Sequence, residues 1–352
     1  MTVSAVRRRH LGVLAAFAVA ALALFLLTIA LGPSRVPLTD VVRVLTGRTA
    51  ADPRWNAVVK EVRLPRAVTA AAVGAALSVA GVQMQTLFRN PLADPFSLGV
   101  SSGASLGVAA AVAGTGGAAG TFTGGLAGLG RTGVVAAAAL GAGAVLSLVL
   151  LLSRRVRSVA TLLVVGVMIG SAVTALVSVM LVYARPEQAQ QFVLWGLGSF
   201  DATTWPDLKV MLPVTAVGLG TALLTTKQLN ALLLGEGYAR TMGLNVRRSR
   251  DLALLTTSLL AGAGTAFCGP VAFLGLAVPH LAKVALRTTD QRVLVPTAVF
   301  AGAAVALACA LATQPPSTDT VLPLNAVTSL LGAPVVITAL LRRGRSTQEP
   351  VS

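Results

Sequence analysis

Residues 11–31, LGVLAAFAVAALALFLLTIAL, run for 21 positions without a charged side chain. At about 1.5 Å per residue, such a run makes a helix of roughly 30 Å, the thickness of a bilayer's hydrocarbon core. Inside that core every backbone N–H and C=O must be satisfied within the protein, so only helices and closed barrels can span it. Comparable runs recur along the chain, and they lack the polar and apolar alternation of barrel strands. The chain is therefore expected to be all-α, a polytopic helical membrane protein. Ten membrane segments are expected, at 11–31, 64–88, 97–113, 133–152, 159–183, 208–226, 251–268, 270–286, 293–313 and 322–341. One transmembrane domain is expected over 1–352: a cytoplasmic N-terminus (1–10), a ten-helix bundle (11–341) that includes a cytoplasmic loop (227–250), and a cytoplasmic tail (342–352).

The composition, 55% hydrophobic and 11% charged, fits a chain solvated by lipid. A formal net charge of +16 would point to nucleic acid in a soluble protein, so the position of the charges decides. They stand in short clusters between apolar runs, such as SRRVRS at 153–158 and NVRRSR at 245–250, which is a topology signal; no nucleic-acid partner is expected. With the N-terminus inside, the inner loops collect 18 of the 28 Lys and Arg residues, which puts both termini in the cytoplasm. The outer loop 32–63 departs from this pattern, with Arg35, Arg43, Arg48, Arg54, Lys60 and Arg63, and its basic surface suggests a partner. The first apolar run is too long for a signal-peptide core of about 7–15 residues and is read as a retained helix.

A membrane enzyme needs nucleophiles, bases or metal ligands gathered at one depth. Here His10 and His280 are far apart, and Cys268 and Cys309 sit singly in apolar stretches as packing residues. No catalytic residue, metal or cofactor is expected. An ion-coupled transporter keeps acidic, basic or histidine side chains inside the bilayer, and these segment interiors carry essentially no charge. ATP is the alternative source of work, yet no phosphate-binding loop exists, because none of the four lysines follows a glycine. An ATP-driven machine would then carry its ATPase on another subunit, which needs a cytoplasmic surface to dock on. The substantial inner loop is 227–250, KQLNALLLGEGYARTMGLNVRRSR, with short helical stretches around Gly235, Gly237 and Gly243.

Residues 87–103, LFRNPLADPFSLGVSSG, place two prolines and two charges between apolar runs. Pro91 cannot continue the preceding helix and Pro95 blocks an early restart, so the backbone must turn between Arg89 and Pro95. A turn held this firmly suits a gate that moves as a unit. Arg89 and Asp94 are expected to anchor it, Asp94 by capping the next helix, and the small residues Gly99 to Ser105 to let that helix pack closely. A short echo of this turn, Gly269-Pro270-Val271-Ala272 with Phe273, Leu274 and Gly275, falls on the opposite side of the membrane, as in an inverted repeat.

Six motifs in order, RLPR (63–66), FRNPLADP (88–95) with LGVSSGAS (98–105), WGLGSF (195–200), LGEGYARTMGLNV (234–246), GPVAFLGLAVPHLAK (269–283) and LPLNAVTSLLGAP (322–334), give the chain a specific resemblance. It resembles the FecCD-type permeases, the membrane subunits of bacterial ABC importers for iron-siderophores, haem and cobalamin. The resemblance implies a cobalamin-importer-permease-like fold in the bacterial cytoplasmic (inner) membrane. It implies a second permease subunit, as homodimer or heterodimer, with the pathway between the two. Two ABC ATPase subunits would lie beneath and an extracytoplasmic substrate-binding protein above. It carries binding-protein docking to Arg63 and Arg66, and a cytoplasmic gate to Asn90, Pro91 and Leu92 with the strip Ser158, Val159 and Ala160. ATPase coupling falls to Gly235, Glu236, Ala239, Arg240, Gly243 and Leu244. The expected cargo is a ferric siderophore, with cobalamin or haem as the alternative.

The chain departs from the family pattern at three places. Val321 stands where an acidic residue is common before the last Leu-Pro, and no arginine occurs between Val293 and Leu341. The second gate strip has one hydroxyl, on Ser158, where relatives place more. His280 matches the family's Pro-His and is read as a packing residue.

Overall fold

The computed structural model describes residues 3–32, 34, 36–113, 130–153, 155–156, 158–315 and 320–346. Arg35, Arg154 and Arg157, most of the Gly-rich loop 114–132 and the tail beyond 346 lie outside the described residues. The membrane helices are α1 (Val3–Ala30), α4 (Leu64–Leu87), α5 (Val100–Ala113), α6 (Arg131–Ser153), α7 (Val159–Val182), α9 (Trp205–Leu224), α12 (Val246–Cys268), α13 (Leu274–Leu286), α14 (Gln291–Thr313) and α15 (Leu324–Ser346). Each of the ten expected segments meets one of them. Between them run α2 (Leu38–Leu45), α3 (Pro53–Ala57), α8 (Pro186–Gly196), α10 (Thr226–Leu233) and α11 (Glu236–Thr241).

Three boundaries differ from expectation for physical reasons. The second segment begins well before residue 64, because α3 runs through a π-helical turn, Val58–Arg63, directly into α4. The wider turn accommodates Pro65, whose ring would clash in a regular helix. The third begins at Val100, since Asp94 caps a 3-10 turn at Pro95–Leu98 before Gly99 takes a positive φ of 78°. The loop 227–250 is two short helices, and its last residues already belong to α12.

Among the described residues, seven helices are long and apolar enough to cross a membrane, and Val100–Ala113, Leu274–Leu286 and Leu324–Thr338 are shorter apolar helices. α5 and α13, with 14 and 13 residues, each follow one of the two echoing turns. Their surroundings repeat as well. α4 packs on α13 and α14, and α12 packs on α5 and α6; α5 lies between α6 and α7 as α13 lies between α14 and α15. The two sets of four helices, α4 to α7 and α12 to α15, thus have equivalent packing partners. Close approach depends on glycine at the crossings. A Cβ on Gly74 would collide with the backbone oxygen of Gly302, and the same holds in reverse. Irregular backbone beside α13 is satisfied by Asn325, whose side chain accepts from Ala272 N at 3.0 Å and donates to Gly196 O at 2.9 Å.

Cys268 and Cys309 are buried in the main core, as packing residues should be. Thr203 Oγ1 lies 3.9 Å from Cys268 Sγ.

Candidate functional site

The turn after α4 is locked atom by atom. Phe88 N still donates to Met84 O at 2.9 Å, Arg89 N reaches Thr86 O at 3.3 Å, and Arg89 then takes a φ of 46°, which ends the helix. Asn90 Oδ1 accepts from Leu92 N at 3.0 Å, and Asp94 Oδ1 accepts from Phe96 N at 2.8 Å, so each side chain folds its own stretch of backbone. Pro91 lies between them, and the 46% exposed Leu92 forms the tip. Burial pushes the Asp94 carboxyl up to about 6, opposed in part by the Phe96 N–H. Arg89 has no partner of its own in the turn and extends toward the helices that follow α9.

There part of the expected set meets, Ser158 and Ala160 with Gly235 and Glu236, while Asn90, Pro91 and Leu92 are not among the lining residues. A cavity of about 510 Å³ is lined by Phe88 and Arg89 from the turn, Ser158 and Ala160 from the start of α7, and Leu234 to Tyr238 from the segment joining α10 and α11. Arg89 stands so near Gly235 that a Cβ there would lie 3.3 Å from its Nη1. Ser158 is the N-cap of α7, accepting from Thr161 N at 3.4 Å, and Val159 is the first residue of that helix. The α10–α11 segment closes on itself: Ala239, fully buried, donates to Gly235 O at 2.9 Å, and Leu244 N donates to Ala239 O at 3.0 Å. Gly235 and Gly243 sit at φ of 108° and 81°, where a side chain would strain the backbone. Glu236 Oε2 pairs with Arg240 Nη2 at 3.3 Å, while Glu236 Oε1 is buried without a hydrogen bond. Leu234, Tyr238 and Met242 are 64%, 63% and 52% exposed, an apolar ridge at a spacing of four residues.

Arg63 and Arg66 lie elsewhere and face inward, with 6% and 5% exposure. Both guanidiniums are engaged by groups within the chain. Arg63 Nη1 donates to Ile29 O and Ala30 O, the last carbonyls of α1, at 2.8 and 2.9 Å, and its Nη2 donates to Ser34 O. Arg66 does the same for α14, with Nη2 on Ala310 O and, at 3.0 Å, on Thr313 Oγ1, and Nη1 on Gln314. Its Nε pairs with Asp201 at 2.8 Å. Helix ends leave carbonyls without intrahelical partners and carry partial negative charge, so a guanidinium there is doubly favoured. Trp205 adds a tie by donating from Nε1 to Lys60 O at 2.9 Å.

One feature was missed in the sequence. A second cleft, about 530 Å³, lies between the Pro95–Leu98 turn, α5 and α7, and its wall carries Ser97, Ser101, Ser102, Ser105, Ser171 and Thr174. From the sequence alone the run from Gly99 to Ser105 is expected to consist of packing residues throughout. The structure divides it: Gly103 and Ala104 are buried, with Gly103 against Gly141, while the serines face the cleft. The interval of four from Ser97 to Ser101 to Ser105 was the available signal.

The FecCD transport family profile matches residues 20–342. The chain belongs to this family. FecCD relatives include the hemin transport system permease protein HmuU of Yersinia pestis, 34% identical over 92% of this chain and 94% of that protein. The vitamin B12 import system permease protein BtuC of Escherichia coli is 32% identical, over 83% and 86% of the two chains. A solved structure assigned to a metal-chelate type ABC transporter in an inward-facing conformation matches with a TM-score of 0.81 and 26% identity, covering 94% of this chain and 99% of that one. This FecCD chain is thus an all-helical ABC importer permease, a transport subunit and a multi-pass membrane protein.

Proposed function

We propose that this permease imports a ferric siderophore across the bacterial cytoplasmic membrane, with both termini in the cytoplasm. ATP is hydrolysed on two separate ABC ATPase subunits, and an extracytoplasmic binding protein delivers the cargo to a pathway between this chain and a second permease subunit. The cavity where Arg89, Ser158 and Ala160 meet Leu234 to Tyr238 supports this reading, because it borders both the proposed gate turn and the proposed coupling element. Asn90, Pro91 and Leu92 form the gate with the Ser158 to Ala160 strip beside them. Gly235, Glu236, Ala239, Arg240, Gly243 and Leu244 shape the coupling element, whose exposed ridge of Leu234, Tyr238 and Met242 meets the ATPase. Arg63 and Arg66 serve docking indirectly, by holding the helix ends that form the outer surface. The uncharged hydroxyl cleft supports passage of a polar metal chelate, whose outer oxygens can exchange hydrogen bonds with serine.

The test is uptake by proteoliposomes that contain the permease, its ATPase and its binding protein, offered ferric siderophores, haem and cobalamin. ATP-dependent entry of the iron chelate, lost in Gly243→Val while the complex stays assembled, is the expected result. Preference for cobalamin or haem would change the cargo alone. Uptake that persists in ATP-depleted, energised vesicles would replace the whole reading with an ion-coupled carrier.

A further inference from the structure

α4 ends in Gln83-Met84-Gln85-Thr86, whose three polar side chains are buried within one helical turn and reach three different helices. Gln83 Oε1 accepts from Thr257 Oγ1 of α12 at 3.0 Å, and Gln85 Oε1 accepts from Lys283 Nζ of α13 at 2.7 Å. Thr86 Oγ1 accepts from Gln291 Nε2, at the start of α14, at 3.1 Å.

The Thr86 branch continues in both directions. Gln291 N donates to Asn230 Oδ1 at 2.8 Å, and Asn230 Nδ2 donates to Asp290 Oδ1 at 2.7 Å, so the first turn of α14 is fastened to α10. On the other side, Thr86 O accepts from Arg89 N at 3.3 Å, the residue at which the chain leaves the helix. An unbroken path of hydrogen bonds and backbone runs from α10 through Asn230, Gln291 and Thr86 to the turn. Gln291 and Thr86 are 0% and 1% exposed, which keeps water out of their bond.

A network that served packing alone would be expected to satisfy its own polar atoms. This one leaves Gln83 Nε2 and Gln291 Oε1 buried without a hydrogen-bond partner. Such groups would gain from a small shift of the end of α4 against the start of α14 that pairs them. We propose that Gln291 is a positioning residue that transmits displacement of α10 to the Arg89–Pro95 turn through Thr86. The inference rests on the reading of the α10–α11 segment as the ATPase contact and of the turn as the gate.

The experiment uses the assembled permease–ATPase complex, with Cys268 and Cys309 replaced and a single cysteine introduced by Leu92→Cys. A water-soluble maleimide reads its labelling rate without nucleotide and after trapping with ATP and vanadate. The parent complex should show a nucleotide-dependent change in rate. Gln291→Met and Thr86→Val should lose that change while the ATPase still co-purifies and the nucleotide-free rate is kept, and Thr86→Ser should restore it. A nucleotide response retained in Gln291→Met overturns the relay. Should Gln291→Met fail to accumulate, Thr86→Val decides alone: a lost response supports the relay and a retained one overturns it. Gly243→Val separates the two levels. If it abolishes the response while Gln291→Met and Thr86→Val retain it, the coupling segment stands and the relay falls. If it leaves the response intact, or if the parent shows none, the coupling or gate assignment falls and takes the relay with it.

Discussion

Arg66 and Arg89 stand at the two ends of α4, each within two residues of a proline, and the structure uses them in opposite ways. Arg66 is 5% exposed and its guanidinium is held by Asp201, Ala310 O, Thr313 and Gln314. Arg89 is exposed, sits in a strained backbone conformation and borders a cavity beside Gly235. The difference comes from what each helix end meets. At Arg66 the chain packs against the C-terminus of α14, where carbonyls need donors; at Arg89 the side chain borders an open cavity. One side chain therefore serves the fold and the other is free to serve movement.

The largest test of this comparison is to truncate both arginines. Arg66→Ala removes a buried guanidinium that donates to Ala310 O, Thr313 and Gln314; losing hydrogen bonds of a charged group costs about 1.5–3 kcal/mol, so thermal stability in detergent should fall by that order, and in Arg89→Ala by far less. Equal losses would erase the distinction between the two ends. A smaller effect tests the turn through pH. The Asp94 carboxyl is raised to about 6 from 3.8, so the folded turn binds more protons than the unfolded chain between those values. Its stability should then fall as pH rises from 5 to 7, by about 1 kcal/mol. Asp94→Asn keeps the acceptor for Phe96 N and should flatten that slope in hydrogen-exchange protection of residues 90–99. A slope unchanged in the variant would place the titration elsewhere. The smallest effect belongs to Ser158, whose capping bond is long at 3.4 Å. Ser158→Ala should cost about 0.5 kcal/mol, the low end for a lost N-cap, and show as faster exchange in the first turn of α7. Protection unaltered there would mean the cap contributes nothing.

Local physics made much of this protein legible in its sequence. Apolar runs announced the ten helices because lipid forces each segment to satisfy its own backbone. Pro91 and Pro95 announced the turn because their rings exclude helix whatever surrounds them, and the short helical stretches expected around Gly235 and Gly243 are α10 and α11, with both glycines at positive φ beside them. The assembly of the site was not legible, since it depends on partners far apart in the chain. Nothing near Arg63 or Arg66 says that the ends of α1 and α14 will supply carbonyls, so their burial could be decided only by packing. The same is true of Gln291, an ordinary polar residue beside an N-cap until α4 and α10 close on either side of it. The serines of α5 shared their stretch with packing glycines, and only the placement of α6 and α7 settled which face was buried and which lined a cleft. Sequence fixes which segments must be helix and where they must break, because those rules act within a few residues; the neighbours that satisfy a buried charge or amide exist only once the helices have packed.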